Sequence, residues 1–210
     1  KTKIVHIKLI EKISKIFDTK KVKFVQISTD HLFDGSKKYY SESSKTKPLN
    51  FYGLSKLNSE KIVIKKFLKY LIIRGNFFGW GTKSRKSFSD WLLDNLKKKN
   101  KLTLFDDIYF NPLNLEIFIQ IIFDLIQKRK SGIYNLSSNK FLSKYSFGLL
   151  IADQFNLDKN NLQKGTIDNF KLVKRPKNMS LSNSKIIKEL NYSKRKLDIK
   201  SQITLLKKQF

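Results

Sequence analysis

The chain has 210 residues, 40% of them hydrophobic, and no cysteine, so it suits one domain or one domain with a smaller lobe, and it excludes disulfides and thiolate metal sites. Its formal net charge of +27 comes from lysines spread along the whole chain, which we interpret as a composition bias at solvated positions rather than as a nucleic-acid interface. No apolar run approaches the ~20 residues of a membrane span, and the first residues lack the apolar core of a secretory signal, so we expect a cytoplasmic protein without membrane contact.

The first residues read as half of a repeat in which helices and strands alternate. Apolar side chains recur at helical spacing over residues 4–17, and an apolar run predicts a buried strand over 22–28 that leads into the hydroxyl side chains of Ser28 and Thr29. A dinucleotide-binding fold opens instead with a strand, a glycine-rich turn and a helix whose N-terminus holds a pyrophosphate. The eight glycines are scattered and the chain begins with Lys1, so we expect an N-terminally truncated domain.

A polar loop is predicted over residues 34–50, and Asn50 is placed to cap a helix predicted over 51–69. That helix carries Tyr52 and Lys56, whose spacing of four residues puts both side chains on one face. A phenol with a pKa of ~10 exchanges a proton poorly at neutral pH, and a nearby ammonium lowers that pKa. A hydroxyl from the preceding strand end would bridge the phenol to a substrate oxygen, which predicts a proton-transfer site that needs no metal.

The rest of the chain continues the alternation. Residues 70–74 form an apolar run, typical of a strand covered on both faces, and a glycine-punctuated turn follows at its carboxyl end, where open α/β sheets bind ligands. Further helices are predicted over 86–99, 114–130, 144–156, 182–190 and 198–209, further strands over 101–105 and 132–136, and irregular structure over 157–178.

Short motifs follow one another in a specific order along nearly the whole chain. They are Ser28-Thr29-Asp30, Phe33-Asp34-Gly35, Pro48-Leu49-Asn50, Tyr52-Gly53-Leu54-Ser55-Lys56, Arg74-Gly75-Asn76, Gly132-Ile133-Tyr134 and Arg175-Pro176. This series resembles the extended short-chain dehydrogenase/reductase family, and within it the dTDP-4-dehydrorhamnose reductases most closely. Each motif is short, but the ordered set is specific.

The resemblance implies an α/β fold with a partial Rossmann-like, doubly wound parallel sheet, in which the first glycine-rich half is missing, and a smaller C-terminal substrate-binding lobe. Residues 1–76 would be the remainder of the NAD(P)-binding domain. Residues 77–210 would form mainly the substrate-binding lobe, with 101–136 partly returning to the Rossmann-like sheet.

The resemblance also implies an activity, the reduction of a nucleotide-activated 4-keto-6-deoxysugar with NADPH or NADH, in the biosynthesis of dTDP-rhamnose and surface polysaccharide. The expected partner is a nucleotide-sugar substrate, and a homodimer is compatible with the family. Some members use Mg²⁺, but His6 and His31 lie far apart and no ligand cluster is recognisable, so we assign no metal ligands. Without a glycine-rich half, we expect weak cofactor binding and low activity from this chain.

The family's catalytic roles carry over one position at a time. Tyr52 would protonate the substrate oxygen, and Lys56 would lower the pKa of the phenol and bond the nicotinamide ribose. Thr29 would hold the substrate oxygen, and Ser28 is the alternative if the strand register differs by one residue.

Binding roles carry over to four further positions. Asn76 and Phe77 match the turn that touches the nicotinamide end and the sugar. His31 stands where the closest relatives usually have tyrosine, so its contact with the sugar is an open question. Arg175 matches an arginine used on the nucleotide diphosphate, for which a planar guanidinium is suited; the alternative is a solvated surface arginine.

Three other functions remain open at this point. A sugar-nucleotide epimerase or dehydratase would share the Tyr/Lys pair. A non-catalytic regulatory relative of the reductases would keep the fold without turnover. The net charge alone would fit a nucleic-acid-binding protein, whose affinity would fall steeply with salt.

Overall fold

The computed structural model describes residues 4–82, 84–170 and 173–209 of the chain. Helices and strands alternate along it, as the sequence predicts. The helices are α1 (Leu9–Ile16), α2 (Phe51–Lys66), α3 (Phe88–Lys97), α4 (Leu115–Gln127), α5 (Lys144–Gln154), α6 (Ser184–Leu190) and α7 (Ile199–Lys208). A stretch of π-helix over Ile4–Lys8 precedes α1. The strands are β1 (Lys23–Ile27), β2 (Lys69–Gly75), β3 (Phe77–Phe78), β4 (Leu102–Phe105), β5 (Tyr109–Phe110), β6 (Leu113–Asn114), β7 (Gly132–Leu136), β8 (Leu142–Ser143) and β9 (Leu162–Gly165).

Strands β1, β2 and β7 form a parallel sheet in that order, and helices cover both of its faces. Successive side chains of a strand point to opposite faces, so neighbouring residues of β2 enter different cores. Ile72 packs in a cluster with Ile10 of α1 and Val63 of α2. Leu71 and Ile73 pack on the other side, in a cluster with residues of α4 and α6. This is a doubly wound, Rossmann-like α/β sheet, so the predicted fold class is confirmed.

Another core lies in the C-terminal part of the chain. It joins α3, α5 and α7 to β4 and β9, with Leu93, Phe147 and Ile203 among its buried members. Gly148 on α5 permits this close packing, because a Cβ there would lie 2.4 Å from the Leu104 side chain. The predicted domain boundaries themselves stay a prediction.

The prediction of irregular structure over residues 157–178 is wrong for β9. This strand runs parallel to β4, with Leu162 beside Leu102 and Gly165 beside Phe105. It contains one buried apolar residue, so the sequence offers no alternation long enough to recognise. The sequence does not predict strands β3, β5, β6 and β8 either, because two residues are too few to show an alternating pattern.

The polar loop between β1 and α2 is hydrogen-bonded to the segment that precedes α6. Tyr40 donates its backbone N–H to the Ser180 carbonyl at 2.9 Å, and the Asn135 amide of β7 donates to the Tyr40 carbonyl at 2.8 Å. The Tyr40 ring stacks on Phe33, with centroids 4.2 Å apart. These contacts hold the C-terminal segment close to the carboxyl end of β1.

Candidate functional site

The carboxyl ends of β1 and β2 meet beside the start of α2 and leave an open cavity of about 330 Å³. Parallel strands bring their carboxyl ends to one edge of the sheet, where ligands of open α/β sheets bind. Seven of the eight residues predicted from the sequence line this cavity, namely Ser28, Thr29, His31, Tyr52, Lys56, Asn76 and Phe77. The eighth, Arg175, lies in a separate cavity.

Helix α2 begins at Phe51, as the sequence predicts, and carries Tyr52 and Lys56 near its start. The Asn50 side chain accepts a hydrogen bond from the Gly53 N–H at 2.9 Å, which caps the helix. Lys56 follows one turn after Tyr52, and its amine donates to the Ile27 carbonyl at 3.1 Å. The first turns of α2 are therefore joined to the end of β1.

Gly53 sets how closely α2 approaches the loop after β1. A Cβ at this position would lie 2.4 Å from the His31 carbonyl oxygen and 2.9 Å from Cβ of Pro48. We expect Gly53→Ala to lower the free energy of unfolding by about 1–3 kcal/mol, because such overpacking forces backbone shifts, and to displace Tyr52. Urea unfolding measures the first effect. Leu54→Ala, at the exposed neighbouring position, is the control, and equal stability of the Gly53→Ala variant and the parent chain would contradict the prediction.

Thr29 and Tyr52 line the same cavity, where the Thr29 side chain is close enough to lower the pKa of the phenol, and the Thr29 hydroxyl donates to Oδ1 of Asp30 at 3.2 Å. Burial raises the pKa of Tyr52, the Thr29 side chain lowers it in part, and the Asp30 carboxylate raises it again. Burial has the largest effect, so the net shift is upward, and the lowering by Lys56 that the sequence suggests stays a prediction. Tyr52 therefore keeps its proton at neutral pH, as a proton donor must.

Ser28 points away from Tyr52 and into a buried ion pair. Its hydroxyl donates to Oε1 of Glu60 at 2.5 Å, and Glu60 receives three further bonds from Arg74, including Nη2 to Oε2 at 2.6 Å. The side chains of Arg74 and Glu60 are 4% and 1% exposed. Of the two hydroxyls that the sequence left as alternatives, the structure therefore brings Thr29 to the phenol and engages Ser28 elsewhere.

Two histidines flank the Tyr52 ring, and the sequence predicts neither of these ring contacts. His6 and His31 each lie edge-on to it, with ring centroids 5.8 Å away. Nδ1 of His6 is 2.9 Å from the Ser55 hydroxyl, and burial, followed by the charge of Lys56, lowers the pKa of His6. Nδ1 of His31 is buried and has no hydrogen-bond partner among the described residues. The helical pattern over residues 4–17 predicts the helix but gives no sign of which residue meets α2.

Another part of the cavity wall is formed by the end of β2. The Asn76 amide donates to Oδ2 of Asp30 at 3.1 Å, so Asp30 links Asn76 to Thr29. Phe77 is 47% exposed and Ile27 is 38% exposed, which gives the cavity an apolar rim. Asp30 is a site residue that the sequence showed only as part of a motif, because its bridging role depends on how β1 and β2 end side by side.

Arg175 lies in a neighbouring cavity of about 600 Å³ that Lys174 and Phe170 also line. The structure therefore does not bring Arg175 into contact with Tyr52. The two cavities are joined by Asn50, whose amide donates to the Lys174 carbonyl at 2.9 Å while its oxygen caps α2. A ligand long enough to reach from one cavity to the other would contact both sets of residues.

The described part of the chain shows no group of three or more His, Cys, Asp or Glu side chains that could hold a metal ion. None of its helices is both long and apolar enough to cross a lipid bilayer. The groups around Tyr52 are hydroxyl, carboxylate, amide, imidazole and amine groups. Together they can donate a proton to an oxygen in the cavity and orient that oxygen.

Known proteins match both the sequence and the fold. The family model described as "RmlD substrate binding domain" matches residues 2–206. The methionine adenosyltransferase 2 subunit beta of Rattus norvegicus is 30% identical over 169 residues, which cover 77% of this chain and 51% of that protein. The chain thus spans about half the length of these curated relatives.

Solved structures give the same match. A dTDP-4-dehydrorhamnose reductase from Clostridium acetobutylicum is 25% identical and superposes with a TM-score of 0.80, covering 90% of this chain and 66% of that one. The dTDP-4-dehydrorhamnose reductase from Bacillus anthracis, solved in complex with NADP, is 22% identical with a TM-score of 0.82, at 90% and 66% coverage. The second likeness shows the fold alone.

Proposed function

Since the chain belongs to the RmlD substrate-binding domain family, we propose that it serves the reduction of a keto group on a nucleotide-activated sugar. The observation that carries this proposal is the placement of Tyr52 beside Thr29, with Lys56 one turn away, at the mouth of one cavity. These are the groups that a carbonyl reduction needs in order to bind the oxygen and to protonate it. Reductases of 25% identity share the fold.

The proton reaches the substrate oxygen from Tyr52. The phenol is protonated at neutral pH because burial raises its pKa. The Thr29 hydroxyl, fixed by Asp30 and by the backbone N–H of His31 at 3.2 Å, orients the same oxygen. As charge develops on that oxygen, the Tyr52 hydroxyl stabilises it in place, and the single hydroxyl hydrogen of Thr29 would turn from Asp30 to donate to it as well.

The end of the cavity near Lys56 fits the nicotinamide part of a cofactor. Phe77 and Ile27 expose apolar surface there, and the Lys56 amine stands at the same rim, where it would meet a ribose hydroxyl. A bound NADPH or NADH would supply the hydride, as the NADP-bound relative suggests. Asn76, held by Asp30, would complete this end. The sequence contains no glycine cluster for a pyrophosphate.

The neighbouring cavity supports a nucleotide-linked substrate. Arg175 and Lys174 supply positive charge, and Phe170, which is 45% exposed, supplies an aromatic face. If the diphosphate binds to Arg175, the sugar would extend past Asn50 towards Tyr52. There, Nδ1 of His31 has no hydrogen-bond partner among the described residues. We propose a dTDP-4-keto-6-deoxysugar as this substrate, used in the cytoplasm for surface polysaccharide.

Product analysis tests this function. We expect the purified chain, incubated with NADPH and a dTDP-4-keto-6-deoxysugar, to yield a sugar nucleotide that has gained two hydrogens, as detected by mass spectrometry. An epimerase would leave the mass of the sugar nucleotide unchanged. A dehydratase would instead remove water from the sugar and lower that mass. Either of those products would overturn the reductase proposal.

A second candidate function is that of a non-catalytic subunit. It is favoured by the 30% identity to the rat protein named as subunit beta of methionine adenosyltransferase 2. A subunit of this kind would bind a sugar nucleotide or a cofactor without turnover. Calorimetric binding of dTDP-glucose together with an absence of reduced product would favour this candidate over the reductase.

A further inference from the structure

The amino ends of the sheet strands lie at the opposite edge from the candidate site. Helices α1, α2 and α4 end there, just before β1, β2 and β7. Hydrogen bonds join the three connecting turns, because the Leu68 N–H donates to the Thr19 carbonyl at 3.1 Å and the Lys23 amine donates to the Lys130 carbonyl at 2.9 Å. The three turns therefore form one continuous surface, the amino-end surface, made of residues 15–21, 65–69 and 128–131.

Three large apolar side chains are exposed on this surface. Ile16 is 76% exposed, Leu68 70% and Phe17 53%. They do not belong to the core beneath, which Phe67 closes by stacking on Phe24 with ring centroids 4.4 Å apart. Exposed apolar side chains that lie together among polar residues are typical of an interaction site.

Positive side chains surround the exposed apolar ones. The exposed cations of the amino-end surface are Lys15, Lys20, Lys21, Lys65, Lys66, Lys69, Lys128 and Arg129. Asp18 lies 3.7 Å from Lys21, and Glu189 of α6 lies 3.0 Å from the partly buried Lys130. Within the described ranges, the other cations of this surface have no carboxylate within 4.0 Å. The surface therefore combines apolar side chains with an excess of positive charge.

We propose that the amino-end surface binds the anionic headgroups of a lipid bilayer, with Ile16, Phe17 and Leu68 inserted among those headgroups. Lysines near a membrane surface are attracted to anionic lipids, and apolar side chains gain free energy when they enter the boundary between headgroups and acyl chains. A nucleic acid would pair with the same lysines, but it offers no apolar surface to Ile16 and Leu68. The charge and the exposed side chains together therefore favour a lipid.

This surface binding is a different property from membrane spanning. The expectation of a chain without membrane contact rests on the lack of a long apolar run, and a protein that lies on a bilayer needs no such run. The cavity that contains Tyr52 opens at the carboxyl ends of the strands, so it would stay open to solvent while the amino-end surface lies on the lipid. Binding of this kind goes beyond the proposed function and does not depend on it.

Co-sedimentation of the purified chain with lipid vesicles tests the charged part of the proposal. We expect binding to vesicles of phosphatidylcholine and phosphatidylglycerol in equal parts, no binding to phosphatidylcholine alone, and weaker binding as the salt concentration rises. Lys65→Gln with Lys66→Gln should weaken binding by about 10-fold or more, because each lysine near an anionic surface contributes to the attraction.

The matched control is Lys207→Gln with Lys208→Gln. Both lysine pairs occupy the last turn of a helix. Helix α7, however, ends at the other side of the molecule, where the Gln209 amide donates to Glu116 in the first turn of α4. The control should bind like the parent chain. If both pairs weaken binding equally, the net charge of the whole chain attracts it to the vesicles, and the assignment to the amino-end surface is overturned.

Two further variants test the insertion of apolar side chains. Phe17→Ser with Leu68→Ser should weaken binding to the same mixed vesicles, whereas Trp91→Ser, at a position on α3 that is 41% exposed, should not. Phe17→Trp should show fluorescence emission that moves to shorter wavelength when mixed vesicles are added, in excess of the change in the parent chain, which contains Trp80 and Trp91. Thermal unfolding shows that each variant is folded.

Each outcome decides a question. A parent chain that does not sediment with mixed vesicles would overturn the proposal, and binding of a single-stranded oligonucleotide in its place would assign the surface to nucleic acid. Unchanged binding of the Phe17→Ser and Leu68→Ser variant would overturn the insertion. If that variant does not fold, the emission of Phe17→Trp is the deciding result, and an emission that does not respond to vesicles would overturn the insertion.

Discussion

Replacing Tyr52 with phenylalanine is expected to lower the rate of carbonyl reduction by about 10²–10⁴-fold, the range that general acid catalysis typically supplies. The phenol is the group that the structure places beside Thr29 and Lys56 at the mouth of the cavity. Phenylalanine keeps the ring between His6 and His31 and removes only the proton donor. Turnover is measured as cofactor oxidation at saturating substrate.

The control for this variant is Tyr70→Phe, because Tyr70 lies near the start of β2, at the opposite end of the sheet from the cavity. The parent enzyme should also keep its activity throughout the neutral range and lose it only in alkali, because burial raises the pKa of Tyr52 above its ordinary value of 10.0. A Tyr52→Phe variant that turns over as fast as the parent would instead support the non-catalytic subunit.

The second large effect concerns stability. Glu60→Gln is expected to lower the free energy of unfolding by about 3–5 kcal/mol, which is the usual cost of leaving one partner of a buried ion pair without its counter-charge. Arg74 would keep its charge with 4% of its side chain exposed, and Ser28 would lose a carboxylate acceptor. Urea unfolding, followed by circular dichroism, measures this loss.

Asp94→Asn is the matched control, because the Lys86–Asp94 pair is exposed at 64% and 42% and pairs of that kind contribute little to stability. Its free energy of unfolding should stay close to that of the parent chain. A double variant, Glu60→Leu with Arg74→Met, should recover much of the lost stability, since apolar residues of similar volume often replace a buried pair without loss. Equal stability of Glu60→Gln and Asp94→Asn would show that the buried pair is not what holds β2 to α2.

The family could be predicted from the sequence because its motifs are local. The spacing of Tyr52 and Lys56, the cap at Asn50 and the apolar run of β2 each depend on neighbours within a few residues, and the structure agrees with all three. The match of residues 2–206 to one family model confirms the resemblance that the ordered motifs indicated. The assignment of roles to individual residues remains a proposal.

What the sequence did not reveal depends on residues that are distant along the chain. His6 reaches Tyr52 only because the π-helical stretch before α1 packs on α2. The spacing of Tyr52 and Lys56 is visible in the sequence, whereas the burial that raises the pKa of Tyr52 is not. Strand β9 has too few apolar residues to produce a periodic signal.

The central claim is that the Tyr52 phenol is needed for hydride transfer to a sugar carbonyl. Transfer of deuterium from the cofactor to the sugar measures this most directly. The chain is incubated with a dTDP-4-keto-6-deoxysugar and with NADPH that carries deuterium at its transferable position. We expect deuterium on the former carbonyl carbon of the product from the parent chain, and almost none from Tyr52→Phe in the same time. Label transfer that is undiminished in Tyr52→Phe, or a product without label from the parent chain, would contradict the account.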